Sequence, residues 1–530
     1  MDRSKLILLI HTLKFLRLKQ VYYQVFYKVR NGFFKKEYNK PLLRQIKPLQ
    51  WKDSFNYSNS FEEGNTFSFL NQFYTFKNNI DWNFSLYGKL WTYNLNYFDF
   101  LNQNKITKKQ GLILIKDYIA KNESLKDGKE PYPISLRGIN WIKFLSKNDI
   151  SETNIDQILY NHYQILMHNI EYHLLGNHLL ENGYSLLFGA YYFKDISLYK
   201  KAKKILTEEL NEQILNDGGH FELSPMYHQI LLHRLLDCIN LIKLNPWEGK
   251  EGFIEYLKLK AIKMLAWSKK VTFKNGTIPM VNDSSYDIAA SSKELFKYAK
   301  AIGLTIEDLE LGESGYRMIR NKQYELFIDV GNVGPNYQPG HAHADMFNFE
   351  FRVKGQPCIV DTGVSTYNKG AKRHFERKTK SHNTVSIADL DQSQVWGGFR
   401  VGKRAKINSL IEKKDSISAE HNGYSKIVGN HSRTFMFKDD HIIISDTVTK
   451  PNNGVVLHAN FHLHNLIEIV EITASEVFLS NRIKIIFSSS SNFTSITLED
   501  YELSAGFNNI KSSKVLRVSF KNHLNTTIKL

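Results

Sequence analysis

The chain has 530 residues, of which 42% are hydrophobic and 13% aromatic, so we expect two or three globular domains rather than one. A net charge of +17 favours polyanionic partners such as anionic lipid or an acidic polysaccharide. The absence of zinc-finger and RNA-binding motifs argues against nucleic acid, and two cysteines, Cys238 and Cys358, are too few for a disulfide framework.

The first predicted region, residues 1–84, is a basic N-terminal helix with an extension. Its first 40 residues carry ten lysines and arginines against two acids. The apolar run from Leu6 to Ile10 is interrupted by His11, Thr12 and Lys14, which fits neither a clear signal peptide nor a transmembrane span. We therefore expect an amphipathic helix that packs on the protein body, with peripheral membrane contact as the alternative.

The second predicted region, residues 85–312, has a helical pattern. Apolar residues recur at three- and four-residue spacing in 156–175, 184–193, 197–215 and 226–244. The connections between these segments are short and contain Gly, Asn, Asp or Pro. This pattern predicts antiparallel helical hairpins stacked into a bundle or ring.

In the third predicted region, residues 313–530, the apolar period changes from about four residues to two. Short alternating segments separated by turn residues are typical of antiparallel strands, and "FKDDHIII" predicts a hairpin at Asp439 and Asp440. Helices followed by strands predict an α+β protein whose domains pack directly on each other.

The segment "PGHAHADMFNFEF" (339–351) combines polar and apolar residues at alternate positions. If it is a strand, His341, His343 and Asp345 share one face, which Phe347 and Phe349 continue into a core. Two histidines and an acid at the end of a buried strand predict a functional site.

Further polar residues lie where a helical apolar pattern would otherwise continue. Asn177 and Glu181 are four residues apart and share a helix face, with His178 beside them. Tyr227 and His228 follow Ser224 and Pro225, a predicted cap and first position, in another helix. Amide and imidazole donors neutralise a carboxylate, and tyrosine or histidine moves a proton. This set suits proton abstraction next to a carboxyl group, and no serine or cysteine nucleophile motif accompanies it.

A metal site is a second interpretation of the polar residues in the predicted sheet region. His343, Asp361 and His382 form a set of two imidazoles and one carboxylate, as zinc sites use, although their spacing fits no short metal motif. Arg373 and Arg377 lie between them and are expected to contact a substrate carboxylate or sulfate, because a guanidinium fork fits either group.

Six segments together resemble the heparinase II/III-like polysaccharide lyases and the alginate lyases of similar architecture. They occur in order between about residues 85 and 500: "GNHLLENG", "DGGHFELSPMYH", "VNDSSYDIA", "PGHAHADMFNFEF", "VDTGVSTY" and "SHNTVSI". The resemblance implies an incomplete α/α toroid followed by an antiparallel β-sandwich. It also implies cleavage of uronic-acid polysaccharides by β-elimination.

The resemblance also implies roles for individual residues. Tyr227 matches the catalytic tyrosine, and Asn177 and His341 match the groups that neutralise the substrate carboxylate, with assistance from His178. Tyr367 is the candidate for a second tyrosine. For Tyr227 to act as a base, its pKa would have to be lowered by a cation such as His228 or a nearby arginine.

The same resemblance assigns the metal set a structural role. His343, Asp361 and His382 match the ligands of a structural divalent metal, zinc or alternatively calcium. The resemblance suggests the periplasm or cell envelope, whereas the lack of a clear signal peptide leaves the cytoplasm open.

Two N-terminal segments indicate which branch of the family the chain resembles. "WTYNLNYFDFL" (91–101) and "PISLRGINWIKFL" (133–145) resemble the branch encoded with surface-polysaccharide genes. Apart from a lyase, the sequence allows a metal-dependent glycan hydrolase, or a non-catalytic polysaccharide-binding or assembly protein.

Overall fold

The computed structural model describes residues 3–33, 36–53, 57–247, 249–250, 252–452, 454–490 and 494–530. Most helices lie in the first 301 residues, as the apolar periodicity predicts. The helices are α1 Arg3–Leu13, α2 Leu18–Phe33, α3 Lys89–Tyr97, α4 Lys108–Ala120, α5 Pro131–Lys147, α6 Thr153–His168, α7 Gly176–Phe193, α8 Ile196–Gln213, α9 Pro225–Leu244, α10 Phe253–Val271, α11 Ser292–Ala301 and α12 Ala371–Glu376. None of these helices has the length and apolar character needed to cross a membrane.

The helical region is built around α7, which is buried along almost its whole length. It packs between α5, α8 and α9, and their apolar side chains share one continuous core. Start signals in the sequence determine where α9 begins. Ser224 Oγ accepts a hydrogen bond from the Tyr227 N–H (3.2 Å), and Pro225 occupies the first helical position, so the predicted cap is confirmed.

The strands lie almost entirely after residue 315. They are β1 Phe61–Glu62, β2 Thr66–Phe69, β3 Gln72–Thr75, β4 Tyr316–Arg320, β5 Tyr324–Asp329, β6 Phe349–Val353, β7 Gln356–Ile359, β8 Val385–Ser386, β9 Val395–Trp396, β10 Arg400–Val401, β11 Ile407–Lys413, β12 Ser416–His421, β13 His431–Phe437, β14 His441–Val448, β15 Leu457–His462, β16 Ile469–Ile472, β17 Glu476–Leu479, β18 Lys484–Ser488, β19 Ser495–Ser504, β20 Ile510–Phe520 and β21 His523–Lys529.

Three larger antiparallel sheets and the two-stranded β9-β10 sheet form the described C-terminal region. One has eight strands in the order β11-β12-β13-β14-β21-β18-β17-β16, and two have four, β19-β20-β15-β8 and β4-β5-β6-β7. In β13 and β14 the inward residues alternate with mostly half-buried ones, and the inward residues of the larger sheets share a second hydrophobic core. The predicted hairpin at Asp439 and Asp440 is confirmed as the β13–β14 turn. The architecture is therefore an α/α toroid followed by a β-sandwich.

The strand predicted for 339–351 is wrong over most of its length. Only β6 is extended there, and the residues before it are irregular. Phe347 has φ +68°, a left-handed conformation that no strand contains. The segment instead lies beside residues 282–283, where the Asp283 N–H donates to the His341 carbonyl at 3.1 Å.

The N-terminal region contains two helices and a small sheet, β1-β2-β3, where one helix and an extension were predicted. Its predicted packing on the body is confirmed at Tyr27, whose hydroxyl donates to the Ile170 carbonyl at 2.6 Å. Cys238 and Cys358 are both buried and free.

Candidate active site

The candidate active site lies where the end of the helical region meets the sandwich. Asn177 opens α7, Tyr227 lies in the first turn of α9, and His341 comes from the irregular segment before β6. Asn177 Nδ2 and His341 Nε2 are 3.0 Å apart, and the Tyr227 ring stacks on the His341 ring with centroids 3.8 Å apart. The structure thus brings together the three residues on which the sequence-based mechanism depends.

Glu222 fixes Asn177 at the start of α7. Its carboxylate accepts hydrogen bonds from the Asn177 backbone N–H at 2.9 Å and from Nδ2 at 3.1 Å. A carboxylate at a helix N-terminus also interacts favourably with the helix dipole. Gly176, with φ +58°, makes this approach possible, because a Cβ there would lie 2.4 Å from Glu222 Oε1.

His341 has an acidic partner at each ring nitrogen. Nδ1 lies 2.9 Å from Asp283 Oδ2, and Nε2 lies 3.2 Å from Glu222 Oε2. With Nδ1 protonated, the ring donates to Asp283, and Nε2 also lies 3.0 Å from the Asn177 amide nitrogen, which can donate to it. The His341 side chain is 12% exposed, so it can contact a ligand in the cleft.

Asp283 connects the two halves of the site. Besides His341, it contacts His343 Nε2 at 3.0 Å and Arg373 Nη2 at 2.7 Å. Although burial alone would raise its pKa, Arg373 and the two histidines hold the pKa of Asp283 well below its ordinary value. Asp283 is therefore a permanent anion that holds these three side chains in place.

Tyr227 lies between this charged cluster and a second tyrosine. Its hydroxyl oxygen is 3.4 Å from the hydroxyl oxygen of Tyr367, the predicted second tyrosine. Burial, together with the nearby Asp283 and Glu222 carboxylates, raises the pKa of Tyr227 above its ordinary value, against the hydrogen bond from Tyr367 and the charge of Arg373. The expected lowering of this pKa is thus not found, and without substrate Tyr227 is a neutral phenol.

His178 lies on the open side of the site. Nδ1 is 3.1 Å from Glu171 Oε1, the side chain is 35% exposed, and its ring packs against Tyr132 with centroids 4.6 Å apart. Burial lowers the pKa of His178, but Glu171 outweighs it and the net pKa is raised. Tyr97 follows at 6.0 Å from Tyr132, so aromatic rings extend from the site along the helical region.

Three of the predicted substrate contacts are buried and bonded within the protein. His228 is buried, with Nε2 near the Met264 carbonyl (3.0 Å) and Nδ1 accepting from the His220 N–H (3.2 Å), so neither ring nitrogen can contact a ligand. Arg377 is buried too, and its guanidinium donates to the Ala342 carbonyl at 2.8 Å. Arg373 is equally buried and pairs with Asp283, so it supplies charge to the site rather than a surface contact.

The predicted metal set lies beneath the site. The His343 and His382 rings have centroids 5.2 Å apart, and His382 Nδ1 is 2.7 Å from Asp361 Oδ2. His343 Nδ1 and His382 Nε2 are buried without a hydrogen-bond partner, so the donor types fit a divalent ion. Within the part of the chain that the structure describes, no group of three or more such side chains is already arranged around a common ion position.

Sequence reasoning missed three acids of the site, Glu171, Glu222 and Asp283. Glu222 lies between Phe221 and Leu223 in "DGGHFELSPMYH", whereas Asp283 lies between Asn282 and Ser284 in "VNDSSYDIA". An acid between apolar residues needs a partner when it is buried, which is the signal that could have identified Glu222.

The chain belongs to the heparinase II/III-like family. A family model for the heparinase II/III N-terminus matches residues 134–303, and the model for the heparinase II/III-like C-terminal domain matches residues 306–530.

Two similar proteins are heparin-sulfate lyases. The protein from Bacteroides stercoris is 25% identical over 353 residues, covering 59% of this chain and 50% of that protein. The one from Bacteroides thetaiotaomicron is 23% identical over 332 residues, covering 54% and 45%. The chain thus spans about half the length of the curated relatives it matches.

Solved structures show the same fold. A heparinase III structure covers 85% of this chain and 79% of its own, with a TM-score of 0.63 and 15% identity. The heparan sulfate lyase from Pedobacter heparinus covers 86% and 79%, with a TM-score of 0.57 and 15% identity. At this identity the likeness establishes the toroid and sandwich architecture alone.

Proposed function

We propose that the protein is a polysaccharide lyase that cleaves a uronic-acid-containing acidic polysaccharide by β-elimination. The observation that carries the proposal is the cluster of Asn177, Tyr227 and His341, in which an amide, a phenol and an imidazole meet within hydrogen-bonding or stacking distance. Family membership and the two lyase relatives support the same class of reaction.

The proposed chemistry begins with the substrate carboxylate. The Asn177 amide and the His341 ring donate to it and neutralise it, which stabilises negative charge on the adjacent carbon in the transition state. Preorganised donors of this kind contribute about 3–4 kcal/mol each. His178, on the open side of the cleft, assists with the same group.

Proton transfer is assigned to Tyr227. As a phenolate it accepts the proton from the carbon next to the carboxyl group, and the electron pair forms a carbon–carbon double bond while the glycosidic oxygen leaves. The proton then passes to that oxygen from the phenol. Tyr367, 3.4 Å away, is placed to hydrogen-bond the phenolate.

We also propose a structural divalent metal, zinc or alternatively calcium, held by His343, Asp361 and His382. The two buried imidazole nitrogens without partners support this assignment. Such an ion would fix the sandwich loops beneath His341, and the elimination itself requires no step at the ion.

A screen of acidic polysaccharides, including bacterial surface polymers, tests the function. A lyase creates a double bond conjugated with the carboxyl group, so ultraviolet absorbance should rise with the number of chain ends. A hydrolase would produce reducing ends without that absorbance, and an assembly protein would bind without producing either. Either outcome on a polymer that the protein binds would contradict the proposal.

A further inference from the structure

The two N-terminal helices expose apolar side chains on the face that points away from the protein. On α1 these are Leu6, Ile10 and Leu13, and on α2 they are Leu18, Val25 and Val29. Spacings of three, four and seven residues place each set on one side of its helix. Leu18 is 89% exposed, which is unusual for a leucine within an ordered helix.

The opposite face of α2 attaches it to the body through polar and aromatic contacts. The Tyr23 ring packs on Tyr172 with centroids 4.7 Å apart, and Arg30 Nη1 donates to the His168 carbonyl at 2.7 Å. A normal surface helix buries its aliphatic side chains and exposes its polar ones. Helix α2 does the reverse, because its polar and aromatic residues contact the body while its aliphatic stripe faces out. A stripe of this kind marks an interaction surface.

The lysines and arginines of residues 3–33 give this stripe positive neighbours within its own segment. Residues 3–33 contain no aspartate or glutamate, and Lys5, Lys14 and Lys28 are exposed. An aliphatic stripe flanked by lysines matches the boundary between acyl chains and anionic headgroups. A two-fold pairing with a second copy would instead bring cations against cations.

We propose that α1 and α2 dock the protein on the surface of an anionic lipid bilayer, with the aliphatic stripe in the acyl boundary and the lysines at the headgroups. The helices lie along the surface, since their inner faces stay attached to the body. This docking is independent of the proposed lyase activity, because it uses none of the residues of the cleft.

Contacts of α2 connect the docking surface to segments that carry residues of the candidate active site. Gln20 Nε2, on the inner face of α2, lies 3.4 Å from the Leu174 carbonyl and 3.5 Å from the Tyr337 carbonyl. Leu174 precedes Asn177 by three residues, and Tyr337 precedes His341 by four. The docked protein would therefore have its cleft near the bilayer surface, where a membrane-linked polymer is presented.

Co-sedimentation of the full chain with vesicles tests the proposal. The protein should bind phosphatidylcholine vesicles that contain phosphatidylglycerol and bind pure phosphatidylcholine weakly. The combined variant Leu18→Ser, Val25→Ser, Val29→Ser should lose more than about tenfold in partitioning, since three exposed aliphatic groups no longer enter the lipid. Lys14→Gln with Lys28→Gln should weaken binding about fivefold per lysine, and less at high salt.

A matched control changes exposed aliphatic residues on the sandwich. Leu466 and Val470 are 70% and 69% exposed, so Leu466→Ser with Val470→Ser removes similar surface elsewhere and should leave vesicle binding unchanged. Wild-type binding equal to that of the α2 variant would overturn the proposal. So would a wild-type dimer in sedimentation that the α2 variant converts to monomer, because a second copy would then cover the stripe.

Discussion

His341 shows how single residues define this site, because its ring has a different neighbour on each side. Carboxylates lie at its two nitrogens, and the Tyr227 ring covers one face. Burial, together with the same two carboxylates, raises the pKa of Tyr227, so the acids that hold the histidine also keep the tyrosine protonated. The surroundings of Tyr227 therefore oppose phenolate formation in the absence of substrate.

Replacing Tyr227 by phenylalanine tests its role in proton transfer. The ring that stacks on His341 stays and only the hydroxyl is lost, so substrate affinity should persist while kcat falls by about 10²–10⁴. Initial rates of double-bond formation on a cleaved polymer measure this. Tyr324→Phe, which removes a hydroxyl that donates to the Lys438 carbonyl on the sandwich, should retain wild-type activity.

The raised pKa of Tyr227 also predicts a pH profile. Only a small fraction of the tyrosine is phenolate at neutral pH, and that fraction grows about tenfold per pH unit below its pKa. We therefore expect kcat/KM to increase from neutral toward alkaline pH, until another group titrates or the protein unfolds. A profile that falls over this range would reject Tyr227 as the base.

Glu181 predicts a pH dependence of stability. Burial, with Asp99 and Asp237, raises its pKa from 4.5 to about 7, against the opposing charge of Arg234. The folded state then holds this proton more tightly than the unfolded chain, so its contribution to stability is complete below pH 4.5 and is lost as the pH rises through 7.

Glu181→Gln should remove this dependence. Relative to wild type, the variant should gain unfolding free energy between pH 4.5 and 7, approaching about 3 kcal/mol at the upper end. Replacing the carboxyl group by an amide adds an offset that does not depend on pH, so the slope against pH is the relevant quantity. Urea unfolding across this range measures it, and parallel curves for the two proteins would contradict the assignment.

At the scale of elements, local signals predicted α9 and the β13–β14 hairpin well. Ser224 and Pro225 mark one start, and Asp439 with Asp440 mark one turn, so neighbouring residues determine both features. The strand prediction for residues 341–348 was wrong because long-range contacts determine the conformation of this segment. Its backbone bonds to Asp283 and to residue 377, and alternation alone cannot reveal such partners.

The same limit applies to the candidate site. Asn177, Tyr227 and His341 were predicted through motifs, and the structure places them together. The acids Glu222 and Asp283 were missed because their roles depend on approach across 45 and 58 residues of sequence. His228 and Arg377 were misjudged because their hydrogen-bond partners, Met264 and Ala342, lie 36 and 35 residues away in sequence.

Gly176→Ala tests how the start of α7 positions Asn177. At φ +58° an alanine costs about 1–2 kcal/mol, and its Cβ would also displace Glu222. Both stability and kcat should fall, because Glu222 holds the Asn177 amide. Gly355→Ala is the matched control, since φ is +80° there with nothing within 4 Å of the added Cβ, so it should reduce stability alone.

Of the hydrophobic clusters in the described residues, the two largest lie in the helical region and in the sandwich, with the charged site between them. The proposed metal would lie on the sandwich side of that boundary. His343→Ala and His382→Ala should each lose bound metal and lower the Tm, because a ligand set with one member removed leaves a buried cluster unpaired. Elemental analysis and thermal unfolding measure the two effects.

A chelator separates loss of metal from simple loss of packing. It should lower the Tm of the wild type and leave the Tm of both variants unchanged. His458→Ala, at a half-buried histidine of β15, should behave like the wild type. Full metal content in His343→Ala and His382→Ala would refute the assignment.

The contacts of Asp283 have a consequence for the order of events during synthesis. The ribosome releases Asn177, Tyr227 and Asp283 first, whereas His341 and Arg373 follow 58 and 90 residues after Asp283. Domains begin to fold as they emerge, so a nascent toroid would exist for a time without the histidine that completes its cleft. Under the proposed function, a partly made chain would therefore not yet cleave polymer, and activity would begin only after the C-terminal domain has docked.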